Sequence, residues 1–505
     1  MLSLPDGPGA APAPPADPVA RMGVIDVGSN SVRFVVFDGI ARSPAYFYNE
    51  KILCGLGAGL AESGRLNPQG RIRALNALHR FAALSREMKL GGLVAVATAA
   101  VREAEDGPAF CARVAAETGL TIRVASGAEE AEFSAKGVLL GWPHANGLVC
   151  DIGGASMELA QVADGQIGRL QTSPLGPLKL RDLIEGGGDL RTHLKDQIGL
   201  LRQSFPEAVH RLFLVGGSWR AIARLDMYRR DYPLMVLHEY ELAPKDLRDT
   251  LDWIADSTPE DLAGLTDTSS ARLALVPLAA RVLRRMLKSF SPELVSFSSY
   301  GLREGVLYDR MPVSLRESDP LLEVARHLEA RESRFPGFGA ALYDWMQPIV
   351  SMLDEAEQRV VRAACHMHDI AWRAHPDYRG EICFDSVARA NYSGLDHRGR
   401  MFLGLAVLAR YKNAEKMPEY ALAAAMLPPH RVEQALTLGK ALRLGAMLSG
   451  SVGGALLRTR LSVESDRLVL TLSGPDCALE GEAVERRLAA LADRLGLAPE
   501  LRATA

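Results

Sequence analysis

The sequence predicts an α/β protein of two duplicated lobes, followed by a mostly α-helical domain and a small α+β end. Three observations carry that expectation. Short apolar runs alternate with helical patterns over 21–312, the mark of α/β construction. One strand-turn-strand segment of that region occurs twice. Beyond Met311 strand signals vanish until 460. The 505 residues leave room for roughly three domains.

Residues 22–27 and 33–38 read as a strand pair closed by Gly28-Ser29-Asn30-Ser31. A helix follows over 67–89, a strand over 92–98, a helix over 107–118, a strand over 121–126 and a helix over 128–140. A second strand pair, 147–153 and 156–163, closes around Gly153-Gly154-Ala155. Strands over 166–171, 211–215 and 293–297 then interleave with helices near 175–185, 190–205, 218–228 and 271–289. From Pro320 to about Leu456 nearly every segment is an amphipathic helix. RLSVESDRLVLTLSG (460–474) alternates like a hairpin turning at Ser465-Asp466, and a helix covers 479–496. The expected organisation is a disordered tail over 1–20, lobe I over 21–142, lobe II over 143–312, a helical domain over 313–456 and an α+β segment over 457–505.

VIDVGSNSVRFVVFD (24–38) lies on VCDIGGASMELAQVA (149–163) without a gap. Asp26 falls on Asp151, Gly28 on Gly153 and Ser31 on Ser156. Each copy is an apolar strand ending in Asp-x-Gly, a tight polar turn and a second strand. One such turn is most simply a structural hairpin, because Gly and Asp are common in turns. Two copies, each opening a β-β-β-α-β-α series, predict two lobes of one fold facing each other across a cleft.

Hydrophobic residues make up 48% and charged residues 24% of the chain, which excludes wholesale disorder, collagen-like repeats and coiled-coil rods. Lys plus Arg number 58 against 61 Asp plus Glu, a net charge of −3. No global field therefore draws the protein to nucleic acid or a membrane, and a polyanion site must be a local patch. The six cysteines are scattered with no Cys-x-x-Cys pair, which fits reduced thiols and neither a disulfide scaffold nor a zinc ribbon. The first twenty residues hold six prolines and no Lys or Arg, unlike a signal peptide. No run approaches the roughly 18–20 apolar residues of a membrane span. The expected setting is the cytoplasm.

A turn of Gly, Ser and Asn at a strand end offers backbone N–H groups to a ligand, and its hydroxyls add donors. That suits phosphate, and the adjacent Asp26 and Asp151 could hold a hydrated Mg2+ bridging phosphate oxygens. Arg102, just past the strand in VAVATAAVR (94–102), sits where ligands of open α/β sheets collect; alternatively it is a solvated arginine at a helix start. RLFLVGGSWRAI (211–222) runs from a strand through Gly216-Gly217 into a helix whose first amides could receive phosphate or ribose, or simply form a capped turn. In SGAEEAEFSAKG (126–137), Glu129, Glu130 and Glu132 open a helix, where acidic residues ordinarily serve the helix dipole. A carboxylate aimed into the cleft would instead orient and deprotonate an attacking water. Spacing alone does not choose between Glu129 and Glu130. RVLRRMLK (281–288) gathers Arg281, Arg284, Arg285 and Lys288, either a solvated face or a basic track for a polyanion.

Six motifs stand in order: DVGSNSVR (26–33), ATAAVREA (97–104), SGAEEA (126–131), DIGGASMEL (151–159), LVGGSWRAIA (214–223) and YGLREGVL (300–307). Together they resemble the exopolyphosphatase / guanosine pentaphosphate phosphohydrolase family, in its longer form with a helical C-terminal domain. The resemblance covers about 22–310. It implies two ribonuclease-H-like lobes of the sugar kinase–Hsp70–actin superfamily. It also implies Mg2+-dependent hydrolysis of a terminal phosphoanhydride, releasing orthophosphate from inorganic polyphosphate or from pppGpp to give ppGpp. By motif, Glu130 is the water-activating carboxylate, and Asp151 and Glu158 are the acidic positions where metal and water are organised. Gly28, Ser29, Asn30, Ser31 and Arg33 match the first phosphate loop, Arg102 the family's arginine, and Gly153, Gly154 and Ser156 the second loop. A homodimer is implied by resemblance only.

The second loop departs from the family's D-I-G-G-G-S-T-E at Ala155 and Met157. Ala155 adds a Cβ where backbone would approach phosphate and Met157 removes a hydroxyl, so altered affinity or rate is expected. In CHMHDIAWRAH (365–375), His366, the pair His368-Asp369 and His375 stand together, with His397 further on. An adjacent His-Asp resembles the metal site of HD phosphohydrolases, hence an HD-like domain. His327 and Asp396 are the candidates by type for the remaining ligands, in no convincing motif, and a site short of ligands binds metal weakly. The other reading is a vestigial domain that packs, dimerises and lengthens a substrate channel. Two further functions compete: a kinase of the same superfamily using ATP, and a non-hydrolytic (p)ppGpp-binding regulator.

Overall fold

The computed structural model describes residues 20–504, so the tail expected over 1–20 lies, apart from Ala20, outside the described residues. Two compact units divide the described residues: 20–232 with 237–318, and 319–504 with the short segment 233–236.

The first unit contains eleven strands in two sheets. Those of the first are β1 (Met22–Val27), β2 (Ser31–Phe37), β3 (Tyr46–Leu53), β4 (Gly92–Ala97) and β5 (Ile122–Val124). Those of the second are β6 (Gly147–Ile152), β7 (Met157–Ala163), β8 (Gln166–Ser173), β9 (Arg211–Val215), β10 (Tyr240–Leu242) and β11 (Leu294–Phe297). Their spatial orders are β3-β2-β1-β4-β5 and β10-β11-β9-β6-β7-β8. Without its edge strand β10, the second sheet repeats the first. In each, three antiparallel strands (β3-β2-β1, β8-β7-β6) continue into two parallel ones (β4-β5, β9-β11). This is the ribonuclease-H-like lobe twice, and the 24–38/149–163 repeat is the first hairpin of each.

β1 and β6 lie inside their sheets and bury all residues but one or two, as strands covered on both faces do. Helix Pro68–Glu87 covers one face of the first sheet, packing Leu78 and Phe81 against Ile25, Val27 and Phe34. Asn67 starts it by accepting a hydrogen bond from the Gly70 N–H (2.9 Å), and Pro68 fits the first turn. Helix Gly127–Gly141 is wedged between the two lobes. Its Phe133 and Leu140 join Met22, Val24, Val35 and Phe37 of the first sheet. Its Ala131, Ala135, Val138 and Leu139 join Val149, Ala160, Phe213 and Val215 of the second. Helix Leu302–Asp309 crosses it with no clearance. A Cβ on Gly305 would lie 1.8 Å from the Phe133 carbonyl oxygen, and one on Gly137 would lie 2.4 Å from that of Gly301.

The structure departs from the sequence reading in particular places. The helix expected over 271–289 is two, Ser270–Leu273 and Val276–Phe290. Pro277 suits the first turn of a new helix and cannot extend an old one. The sequence reading gave no range for β3, whose residues are all half-buried or exposed because it is a sheet edge. It also omitted β10 and helix Pro244–Asp256.

In the second unit the described residues between 319 and 459 contain helices and no strand. A three-stranded sheet closes it: β12 (Arg460–Glu464), β13 (Arg467–Ser473) and β14 (Ala498–Thr504). The hairpin turns at Ser465-Asp466, with Ser465 at φ 55°. β14 pairs parallel to β13 after the crossover helix Glu482–Leu495. It was missed because none of its residues is buried.

The helix crossing is testable. Gly305→Ala should destabilise the first unit by about 2–4 kcal/mol, since the new methyl meets backbone that cannot yield. Gly199→Ala, in a helix with nothing within 4 Å of its Cβ position, should stabilise by about 0.5–1 kcal/mol. Urea denaturation of the two variants measures both; equal effects would remove the crossing as a constraint.

Candidate active site

The two turns are built alike. Gly28 N–H donates to the Ser31 carbonyl (3.0 Å), and Gly153 N–H to that of Ser156 (2.9 Å). The first turn is fixed by the following loop, through Cys54 and Gly55 N–H to the Asn30 carbonyl and Gly57 N–H to that of Ser29. The second is fixed by Leu178 N–H, which donates to the Gly154 carbonyl at 2.8 Å. The turns face each other: a Cβ on Gly154 would lie 3.9 Å from that of Ser29.

Residues directly opposite in a sheet share a face, so register sets the chemistry of each wall. In the first lobe Asp26 pairs with Arg33, and Arg33 with Lys51. In the second lobe Asp151 pairs with Glu158, and Glu158 with Thr172. One row is mostly cationic, the other acidic.

Between the lobes lies a cleft of about 230 Å3 lined by Asp26, both turns, Arg33, Lys51, Asp151, Gly216, Gly217, Arg220, Arg272 and Arg303. Five cations thus face two carboxylates. Burial holds the Lys51 ammonium down to about 8, with repulsion from Arg272, Arg33, Arg220 and Arg303 adding to it. Burial also lowers the Arg33 and Arg220 guanidiniums, with Arg303 the largest repulsive neighbour of each. Arg303 stands 4.0 Å from Asp26, and its Nη1 is buried without a hydrogen-bond partner among the described residues. Unfilled donors among crowded cations are the signature of a polyanion site. Burial raises the carboxyls of Asp26, against Arg303 and Arg33, and of Asp151, against the Ser134 hydroxyl and Arg220.

Gly216 needs its conformation. At φ 115° it starts helix Gly217–Arg229, and a Cβ there would lie 2.6 Å from the Ile152 carbonyl oxygen and 2.9 Å from Asp151 Oδ1.

The two glutamates that spacing left open differ in surroundings. Glu129 caps its own helix, accepting from Ser126 N–H (2.8 Å) and Oγ (2.9 Å), and pairs with Arg123. Glu130 is buried and ion-paired with Arg102, whose Nη1 also donates to the Ala125 carbonyl at 2.7 Å. Burial pushes the Glu130 carboxyl up to about 7, opposed by Arg102 and reinforced by Asp151 and Asp26. Neither Glu130 nor Arg102 belongs to the cleft lining. Glu158 is also buried; it accepts from the Thr172 hydroxyl (3.1 Å), and its carboxyl is held well above the usual range by burial, Glu130 and Asp151.

Met157 is fully buried in the second lobe's core with Cys150, Ile152 and Leu159, so its side chain faces away from the cleft. Arg281 and Arg284, open between a solvated face and a basic track, bond to the Ala255 carbonyl (3.2 Å) and Asp252 (2.8 Å). Lys51, Arg220, Arg272 and Arg303 were missed. Arg220 and Arg303 stand inside quoted motifs, and Lys51 follows from Arg33 once β3 is aligned. Arg272 stands in no quoted motif, on the short helix Ser270–Leu273.

The described residues hold no group of three or more His, Cys, Asp or Glu side chains arranged to grip a metal. In the second unit Asp369 is taken by Arg334, at 2.7 and 2.8 Å, and lies 3.4 Å from Arg410. His368 donates through Nδ1 to the Cys365 carbonyl (2.8 Å), and burial and Arg410 press its pKa down to about 3. His366 is bound to Glu329 (2.6 Å). His327 contacts Arg331, and Asp396 caps helix His397–Tyr411.

Duplicated ribonuclease-H-like lobes closing on paired turns and a cationic cleft define a phosphoryl-handling protein of the actin-like class. Two family models match in sequence order: the Ppx/GppA phosphatase family over residues 35–314 and the exopolyphosphatase C-terminal region over 321–501. The chain belongs to the Ppx/GppA phosphatase family. It is 26% identical to exopolyphosphatase 1 of Mycobacterium tuberculosis over 303 residues, covering 58% of this chain and 88% of that one. It is 25% identical to the guanosine-5'-triphosphate,3'-diphosphate pyrophosphatase of Vibrio cholerae over 487 residues, covering 89% of this chain and 91% of that one. The crystal structure of an exopolyphosphatase from Cytophaga hutchinsonii has the same fold over 57% of this chain and 96% of its own, at a TM-score of 0.52 and 24% identity. No described helix is long and apolar enough to cross a membrane.

Glu130's surroundings set a pH dependence. Its folded-state carboxyl near 7 lies above the unfolded value of about 4.3. The folded protein therefore holds a proton that the unfolded chain has lost, and that contribution fades as pH rises through about 7. Glu130→Gln, which does not titrate there, should gain about 2 kcal/mol on the parent between about pH 5.5 and about pH 8. Urea denaturation at both pH values checks this; a gap independent of pH would mean an ordinary carboxyl.

Proposed function

We propose that the protein is a Mg2+-dependent phosphoanhydride hydrolase that releases the terminal orthophosphate of inorganic polyphosphate, of pppGpp, or of both. The carrying observation is a buried carboxyl held near 7, Glu130, acted on by Asp151 and Asp26, the two carboxylates of a cleft that five cations line. A base poised near the working pH combines the correct protonation state with useful basicity. The names of the Mycobacterium and Vibrio relatives supply the two substrates.

In this mechanism the backbone amides of both turns, Ser29 and Ser31, and the side chains of Arg33, Lys51, Arg220 and Arg303 hold the phosphate oxygens. Phosphoryl transfer needs such positioning and charge neutralisation more than covalent help. Glu130 accepts a proton from a water as that water's oxygen bonds to the terminal phosphorus and the anhydride bond breaks. Arg102 holds the Glu130 carboxylate in place, and burial, with repulsion from Asp151 and Asp26, raises its basicity. Asp26 and Asp151 would hold the divalent cation: both offer hard oxygen donors whose charge burial leaves under-compensated, and Mg2+ takes one or two carboxylates when phosphates and waters fill the rest. When bound, it neutralises phosphate charge. Glu158, held by Thr172, would support that pair from behind. Mg2+ as the cation, a homodimer and a cytoplasmic location belong to the same proposal.

The test mixes full-length protein with long-chain polyphosphate, and separately with pppGpp, in Mg2+. Orthophosphate should appear from at least one and fall about 100-fold or more in Glu130→Gln. With Glu130 as base, kcat/KM should rise with pH through about 7 and then level. Undiminished release by Glu130→Gln would overturn the assignment of the base. Binding of pppGpp without release over hours would favour a regulator.

A further inference from the structure

Helix Gly127–Gly141 follows β5 and helix Leu302–Asp309 follows β11, the last strands of the two sheets in chain order. Each turns one side chain to the cleft carboxylate of the other lobe. Arg303 stands 4.0 Å from Asp26 of β1. Ser134 donates its hydroxyl to Oδ2 of Asp151 in β6. Equivalent carboxylates thus meet unlike partners. A guanidinium offsets part of the Asp26 charge, whereas a hydroxyl fixes Asp151 and leaves it the negative charge that a cation needs.

Ser134 is 1% exposed and lies four residues after Glu130, one turn further along the same helix. A serine inside a helix commonly returns its hydroxyl to the carbonyl one turn back. Ser85, buried in helix Pro68–Glu87, does so, donating to the Phe81 carbonyl at 2.7 Å. Ser134 instead spends its hydroxyl across the lobe boundary. Among the described residues no other side chain hydrogen-bonds Asp151. The second oxygen, Oδ1, faces the Gly216 turn, where a Cβ on Gly216 would come within 2.9 Å. One oxygen of Asp151 is therefore tied down, and the other keeps its room only because residue 216 is glycine.

We infer that Ser134 is a positioning residue for the divalent cation, holding the Asp151 carboxylate from the opposite lobe in the orientation that receives it. The inference rests on the reading of Asp26 and Asp151 as the cation-holding pair. Partners of metal ligands commonly set affinity in this way, by removing the ligand's freedom to turn. Glu130 is not part of this contact, so the hydroxyl should govern how tightly the cation is held and not the proton transfer.

Mn2+, a hard cation that suits the same oxygen donors, is the probe, followed by electron paramagnetic resonance of the free ion. Full-length parent is titrated beside Ser134→Ala, Asp151→Asn and Ser85→Ala, the last a matched loss of a buried helical hydroxyl remote from Asp151. The dissociation constant should rise about tenfold in Ser134→Ala, rise further in Asp151→Asn and stay at the parent value in Ser85→Ala. The Mg2+ concentration for half-maximal orthophosphate release should rise with it, while kcat at saturating Mg2+ stays within about twofold of the parent. If Asp151→Asn binds Mn2+ no more weakly than the parent, the cation-holding pair is wrong and this inference falls with it. If Asp151→Asn loses binding while Ser134→Ala matches or exceeds the parent, the role of Ser134 alone is overturned. An equal loss in Ser85→Ala would overturn it too, by showing a general loosening of the fold.

Discussion

The first unit depends on one contact, the crossing of helices Gly127–Gly141 and Leu302–Asp309 at Gly137 and Gly305. Because backbone meets backbone there, the helices have no side-chain layer between them to slide or re-pack. The consequence reaches the cleft. Helix Gly127–Gly141 carries Glu130 and Ser134 at its cleft end, and Ser134 holds Asp151. The partner helix begins at Gly301, whose N–H donates to Glu304 (2.8 Å), and presents Arg303 to Asp26. The Glu130 carboxyl, Asp151 and Arg303 are thus located by one steric constraint, while both sheets are buttressed against the same helix.

Duplication supplied the cleft, and divergence within the duplicated frame supplied its polarity. At equivalent register the first lobe places Arg33 and Lys51 where the second places Glu158 and Thr172. A symmetric pair of acidic rows would repel a phosphorylated ligand, and a symmetric pair of basic rows would leave nothing to hold a cation or activate water. The near-neutral overall charge is then no obstacle to a polyanionic substrate, since the five cations are gathered in one place.

How much of this was legible follows from what each feature depends on. The lobes were legible because Asp26/Asp151 and Gly28/Gly153 recur at fixed spacing, and spacing is a property of sequence. The turns were legible because local motifs carry them. β3 and β14 were not, because edge strands need no apolar alternation, and without β3 there was no way to set Lys51 beside Arg33. Arg272 was illegible for a different reason: it stands on the short helix Ser270–Leu273, which the sequence reading merged with the next one. Met157 shows the converse error. A position inside a loop motif was read as facing ligand, while strand alternation turns it into the core.

His368-Asp369 makes the sharpest contrast between motif and site. As sequence, the pair promises a metal, whose charge an Asp and a neutral imidazole would share. In the fold, the Arg334 guanidinium fills the Asp369 carboxylate, and Arg410 stands next to it. Substituting a fixed cation for an exchangeable one changes what the pocket can do. A metal coordinated by Asp and His offers open positions to water, whereas a guanidinium offers donors and no Lewis acidity. His368 is kept neutral by burial, with repulsion from Arg410 adding to it, which leaves it unsuited to proton transfer near neutral pH.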